Sequence, residues 1–253
     1  MNTRTESLRI EHLSKSFIRV RRSSMRLIYL AVGIVKRYQQ PTEKTLTDIT
    51  FSAVAGENIG IIGGNGAGKS TLLKCIAGIY TPDSGTVEAH GTTLYLSGFT
   101  QGLHNELTMR ENIFLIGALM GLTKTEIAER FNEIVELSGM ETYLDTITNN
   151  FSAGMLGRLS FSIGICCLDQ TQPDILLLDE IGLGGGGADI AFRDASKKRV
   201  ETFLRSGATV LLVSHDLHAI ESYCDRVLWL KDGRVHMEGA PQVVCAAYKE
   251  AMQ

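Results

Sequence analysis

The chain has 253 residues, 44% of them hydrophobic and 21% charged, with a formal net charge of −3. This composition suits one α/β core with a subdomain, or two small domains, and excludes a disordered tail. The near-neutral balance offers no global field to nucleic acid or an anionic bilayer, so no nucleic-acid partner is expected. In chain order, Leu8 to Leu13 reads as a first strand, ending at Ser14-Lys15-Ser16-Phe17. A basic mixed segment follows, with Arg19, Arg21, Arg22 and Arg26, then Leu27 to Val35; the arginines read most simply as a solvated basic face, with lipid headgroups or a membrane partner as the alternative. Thr45 to Val54 is a second strand region closed by an Ala55-Gly56 turn. Asn58 to Ile62 is a short apolar strand running into a glycine loop, and Ser70 to Ile79 reads as the next helix.

Thr123-Lys124-Thr125-Glu126 has capping-box spacing, with Ile127, Phe131, Ile134 and Val135 at helical period and Gly139 as the stop. It lies in a largely helical stretch from about Leu107 to Asp169. Ile175–Leu178 and Val210–Val213 are continuous apolar runs, as expected for strands covered on both faces. Phe192 to Arg205 reads as a helix stopped by Gly207. Val227–Leu230, Asp232-Gly233 and Arg234–Met237 read as a hairpin. The layout is a parallel α/β core interrupted by a helical insertion.

Cys75, Cys166, Cys167, Cys224 and Cys245 show no metal-ligand spacing, and their odd count argues against a disulfide framework. They are expected to be reduced, buried residues of a cytosolic protein. No uncharged apolar stretch approaches bilayer-spanning length, and the first residues hold no signal-peptide apolar region. A membrane process would need another polypeptide to supply the span.

Gly63-Gly64-Asn65-Gly66-Ala67-Gly68-Lys69-Ser70 fits G-x-x-x-x-G-K-[S/T] between a strand and a helix. Glycines let successive N–H groups point at phosphate oxygens, and the helix N-terminus adds its positive dipole end. Lys69 is expected to reach the β- and γ-phosphates, Ser70 to ligate Mg²⁺, and Thr71 to belong to the same nucleotide-binding turn. Alone, this motif leaves kinases, GTPases and motor ATPases open. Asp174-Ile175-Leu176-Leu177-Leu178-Asp179-Glu180 is a buried strand delivering two acids at its C-terminal end, where α/β sheets place ligand groups. Asp179 is expected to hold Mg²⁺, and Glu180 to polarise the attacking water. Val213-Ser214-His215-Asp216 brings a histidine to the same sheet edge, within reach of the γ-phosphate and that water.

Phe151-Ser152-Ala153-Gly154-Met155 opens a further helix. Taken in order with the phosphate loop, the Asp179-Glu180 strand and Ser214-His215-Asp216, it makes nearly the whole chain resemble the ABC transporter ATPase family. The resemblance implies an α/β P-loop NTPase core (a RecA-like parallel sheet with an antiparallel β subdomain) in a single domain over 1–253. A helical subdomain over 98–160 carries the signature motif. It implies ATP and Mg²⁺ as cofactors and a signature loop, Ser152 and Gly154, that caps the γ-phosphate held by a second copy. Glu106-Leu107-Thr108-Met109-Arg110-Glu111-Asn112-Ile113, Met155, and Asp189-Ile190-Ala191-Phe192-Arg193 are similar to the polysaccharide-exporting members, as is the long spacer before Thr45.

For adenine stacking, Phe17 fits the layout of that subfamily and Tyr38 the distance seen in shorter members; Phe17 is preferred. Gln101 is the nearby glutamine for the family's Q-loop and metal contact, although it sits closer to Leu107-Thr108 than usual. Asp189 matches the D-loop aspartate, behind a loop, Gly182 to Gly187, richer in glycine than the family pattern. The implied partners are a second copy of the chain and a polytopic permease that contacts a lipid-linked polysaccharide. The implied location is peripheral, on the cytoplasmic face of the inner membrane. A soluble ABC ATPase, a P-loop kinase and a regulator that no longer hydrolyses are the competing classes. The sequence shows neither the tandem cassettes nor the coiled-coil insertions expected of the first, the signature and Ser-His-Asp elements disfavour a kinase, and Lys69, Asp179, Glu180 and His215 disfavour the regulator.

Overall fold

The computed structural model describes residues 5–18, 42–97, 102–180, 190–204 and 207–252. Arg19, Arg21, Arg22, Arg26, the Leu27 to Val35 run, Tyr38, Gln101 and the 182–189 loop with Asp189 lie outside them. The described strands are β1 (Glu6–Ile18), β2 (Thr42–Val54), β3 (Asn58–Ile62), β4 (Ser84–Ala89), β5 (Thr93–Ser97), β6 (Ile175–Asp179), β7 (Thr209–Val213), β8 (Arg226–Lys231) and β9 (Arg234–Gly239). The helices are α1 (Lys69–Ile76), α2 (Met109–Leu119), α3 (Lys124–Ser138), α4 (Ala153–Thr171), α5 (Ile190–Leu204), α6 (Leu217–Tyr223) and α7 (Pro241–Ala251).

Six strands form one sheet in the order β5-β6-β7-β3-β8-β9, parallel except for the final β8-β9 hairpin. β2-β1-β4 form a separate antiparallel sheet. Side-chain alternation divides the core. Ile59, Ile61, Ile175, Leu177, Leu211 and Val213 face α1, which is clasped from its other side by Leu8, Ile10, Leu46 and Ile49 of the antiparallel sheet. Ile62, Leu176, Leu178, Val210 and Leu212 face the remaining helices. Every residue of β6 and β7 is buried, which is why both read as unbroken apolar runs.

Several expectations shift at their ends. The first strand extends through Ile18, because its pairing with β2 continues to Ile18↔Thr42. α1 stops at Ile76 rather than Ile79, since Gly78 takes a left-handed conformation (φ 71°). The hairpin turn at Asp232 (φ 50°) and Gly233 (φ 72°) has both central residues at positive φ, as a two-residue hairpin requires. Its tip docks on β2, where Thr47 N–H donates to the Gly233 carbonyl at 2.8 Å. The single tryptophan, Trp229, is buried in β8 with its ring edge-on to His236 (4.4 Å) and Tyr248 (5.4 Å).

In the helical layer α2 and α3 each start with a complete capping box, Thr108–Glu111 and Thr123–Glu126. The hydrogen bonds from each threonine hold the Glu111 and Glu126 carboxyls below their ordinary range. Beside the first box, Asn112 is fully buried. Its Oδ1 accepts from His104 N–H at 2.7 Å, and its Nδ2 lies within 3.0–3.2 Å of the carbonyls of His104, Leu107 and Thr108 and of Thr148 Oγ1. One side chain thus ties α2 to the loop before it and to the turn at Thr148–Asn150. Replacing Asn112→Leu strands several of these buried partners. It should lower the unfolding free energy by about 3 kcal/mol in a urea titration; a loss under about 1 kcal/mol would mean that the loop satisfies itself.

All five cysteines are free thiols. Burial pushes Cys167 up to about 11 and Cys224 up to about 12, so neither supplies a thiolate near neutral pH.

Candidate functional site

Two glycines of the loop between β3 and α1, Gly63 and Gly68, admit no side chain without movement of their surroundings. Gly63 lies so close to β8 that a Cβ would sit 2.3 Å from the Leu230 carbonyl oxygen. Gly68, at φ 100°, would press a Cβ to 2.8 Å from the Thr45 carbonyl oxygen of β2. The loop is therefore pinned between the two sheets. α1 has Gly68 at its N-cap with no side-chain cap, so its first N–H groups stay available to an anion. Asn65 and Gly66 are exposed, Ala67 is buried, and Thr71 stands in the first turn of α1.

Lys69 is buried, and its Nζ donates to the carbonyls of Gly63 (2.8 Å) and Gly64 (3.2 Å). Burial pulls this ammonium below the ordinary lysine range, partly offset by the negative charges of Glu180 and Asp179. Ser70 Oγ donates to Asp179 Oδ1 at 3.1 Å. The buried Asp179 accepts at its other oxygen from the Tyr95 hydroxyl at 2.9 Å.

At the end of β6, Glu180 N–H donates to the Val213 carbonyl (3.0 Å), and the residue then turns into the left-handed region at φ 52°. That conformation is uncommon for a non-glycine residue and costs on the order of 1 kcal/mol. It turns the Glu180 side chain out beside the loop, where Oε1 lies 2.8 Å from His215 Nε2. The neighbours of His215 hold the turn. Ser214 Oγ accepts from Asp216 N–H (3.0 Å), and Asp216 caps α6 through the N–H groups of His218 and Ala219.

Lys69, Ser70, Asp179, Glu180 and His215 thus meet at the C-terminal edge of the parallel sheet. Together they can grip a polyphosphate, offer two hard oxygen donors to a cation, and place a carboxylate beside an imidazole. Ser152 stands elsewhere: its Oγ accepts from Met155 N–H at 3.3 Å as N-cap of α4, and Ser152 and Ala153 are exposed while Gly154 is half-buried. Its cap is ordinary helix chemistry, and among the described hydrogen bonds none joins it to the Gly63–Ser70 loop of the same chain. Phe17 is 36% exposed, edge-on to Tyr80 at 5.2 Å, with Lys15 Nζ 5.5 Å from its ring centroid. It lies two residues beyond the Lys15↔Leu46 pair of β1 and β2, and Leu46 lines the Gly68 turn. The residue that sequence reasoning missed is Tyr95. β5 is not a clean apolar run, and only its register beside β6 reveals that this tyrosine faces Asp179.

The sequence pattern of the ABC transporter family matches residues 46–181. The chain is 38% identical over 207 residues to the O-antigen export system ATP-binding protein RfbB of Klebsiella pneumoniae, covering 82% of this chain and 81% of that one. It is 36% identical over 254 residues to the teichoic acids export ATP-binding protein TagH of Lactococcus lactis, covering 100% of this chain and 53% of that one. Among solved structures it is similar to an ATP-binding subunit of an ABC transporter (TM-score 0.70, 25% identity, 96% of this chain and 93% of that one). It shares its fold with a dimeric ATP-binding cassette in a post-hydrolysis state bound to ADP and Pi (TM-score 0.69, 19% identity, 92% of this chain and 98% of that one). With the phosphate loop, the acid-ended strand and the histidine turn on one sheet edge, and with these relatives, the chain belongs to the ABC transporter family.

Proposed function

We propose that the chain is the ATP-hydrolysing subunit of an exporter of lipid-linked polysaccharide, of the O-antigen or teichoic-acid kind. In this reading it works as a homodimer, peripherally bound to a membrane-spanning permease at the cytoplasmic face. The carrying observation is a division of labour. Five polar groups converge at one sheet edge, while Ser152–Gly154 presents an exposed helix N-terminus with no described bond to that edge. A second copy can bring that helix N-terminus over the phosphate chain. RfbB and TagH, both named as export ATP-binding proteins, support the cargo class and the direction of transport. No described helix is long and apolar enough to cross a membrane, so the span is assigned to the permease.

In this reading Phe17 stacks on the adenine. The N–H groups of Gly63 to Thr71 and the Lys69 ammonium hold the β- and γ-phosphates. Among the described residues no group of three or more His, Cys, Asp or Glu side chains could hold a metal alone. Ser70 and Asp179 instead offer two oxygen ligands, which fits a magnesium ion completed by phosphate oxygens and water. Bound there, the ion would neutralise charge on the β- and γ-phosphates. Glu180, oriented by His215, accepts a proton as a water oxygen bonds to the γ-phosphorus; the bond from that phosphorus to the bridging oxygen breaks, and ADP departs with its electron pair. The Ser152 hydroxyl and the α4 N-terminus of the partner copy stabilise the γ-phosphate oxygens. Gln101 and Asp189 keep their proposed parts as Q-loop and D-loop residues. The helical layer around 98–160 is the face offered to the permease.

Ser152→Arg tests the two-copy site. An arginine at an exposed N-cap should leave binding of a fluorescent ATP analogue to the single chain unchanged, and should reduce phosphate release at least about 100-fold. A variant that hydrolyses at the wild-type rate would remove Ser152 from the site.

A further inference from the structure

The two oxygens of the buried Asp179 carboxylate are held by hydroxyls from two different elements. Ser70, at the start of α1, donates to Oδ1 at 3.1 Å, and Tyr95, on β5, donates to Oδ2 at 2.9 Å. The sheet register explains the second contact. Tyr95 pairs with Leu177 in the parallel β5-β6 ladder, and Asp179 lies two residues further along β6 on the same, α1-facing side. Leu94 and Leu96, on either side of Tyr95, pack into the opposite core, so the phenol is the group that this edge strand sends to the nucleotide side.

A carboxylate rotates easily about its terminal torsion, which has only broad, roughly two-fold minima. With Ser70 alone, Asp179 would be anchored through one oxygen and could swing its charge away from the serine. The tyrosine removes that freedom and leaves Oδ1 beside Ser70 Oγ. We propose that Tyr95 is a positioning residue for the divalent cation: it sets the orientation of the Asp179 carboxylate and thereby the affinity of the site for the metal that accompanies the nucleotide. This rests on the Mg²⁺–ATP reading above. Partners of this kind, one step removed from the ion, typically change metal affinity 10–100-fold when lost.

The test uses Tyr95→Phe in the full chain, which deletes only the hydroxyl. ATP affinity is measured by titration calorimetry in Mg²⁺ and again in EDTA, and Mn²⁺ binding to the nucleotide complex is followed by EPR. In EDTA the variant should match wild type. In Mg²⁺ it should lose most of the metal-dependent gain, with Mn²⁺ bound about tenfold more weakly. Equal Mg²⁺ dependence in both proteins would overturn the proposal. So would weakening of the same size with and without the metal, or a Tyr95→Phe chain that no longer melts cooperatively, since the hydroxyl would then serve the frame alone. Failure of wild type itself to bind ATP would sink the nucleotide reading, a result distinguishable from all of these.

Discussion

Glu180→Gln should stop turnover while leaving nucleotide binding intact. The substitution keeps the length of the side chain, and its amide oxygen can still meet His215 Nε2, now 2.8 Å from Glu180 Oε1. It cannot take up a proton. Removing a general base slows hydrolysis about 10²–10⁴-fold. In the proposed two-copy site an intact triphosphate holds the dimer closed, so the variant should accumulate as an ATP-bound dimer in size-exclusion chromatography with light scattering. A Glu180→Gln chain that stayed monomeric at saturating Mg²⁺–ATP would defeat the two-copy model. One that hydrolysed at the wild-type rate would move the base elsewhere.

Lys69→Met should separate binding from stability. Loss of a charged hydrogen bond to phosphate costs roughly 1.5–3 kcal/mol, so ATP should bind about 10–100-fold more weakly in a direct titration. The stability effect has a different sign structure. Burial depresses the folded-state pKa of Lys69, so between that value and the unfolded value the unfolded chain holds the extra proton. Stability from this group therefore rises with pH across that window. Below it the buried ammonium is a standing cost, relieved in part by the Gly63 and Gly64 carbonyls and by the charges of Glu180 and Asp179. Without nucleotide, the stability of wild type relative to Lys69→Met should accordingly improve as the pH is raised toward the ordinary lysine value. A difference that stayed flat with pH in chemical unfolding would show that Lys69 is not desolvated in the free chain.

Much of this site was legible because its chemistry is local in sequence. Gly63 to Ser70 needs only a strand before it and a helix after it, and the apolar run Asn58–Ile62 has the same ends as β3. Asp179, Glu180 and His215 follow buried runs whose continuity reports cover on both faces. What escaped depended on pairing or on weak patterning. β4 is mostly exposed, so it offers no apolar run, and it is held by β1 rather than by its own composition. α7 announces itself only through Pro241 at its first turn. Tyr95 needed the register of β5 against β6. The stretch from Glu106 to Ile113 carries a family resemblance in sequence, and its physical content lies in the folded chain: Thr108 and Glu111 cap a helix, and Asn112 fastens it. Ser152 caps its own helix through Met155 N–H, a contact that sequence alone does not separate from the proposed role toward a partner copy.

The lone Trp229 gives this molecule a built-in optical gauge. The indole is 5% exposed, and the next residue, Leu230, supplies the carbonyl against which Gly63 is pressed. Its emission therefore needs no label and no correction for a second fluorophore of its kind. Any loosening of the β8-β9 hairpin from the phosphate loop should be visible as a red shift in the ultraviolet spectrum of the unmodified chain.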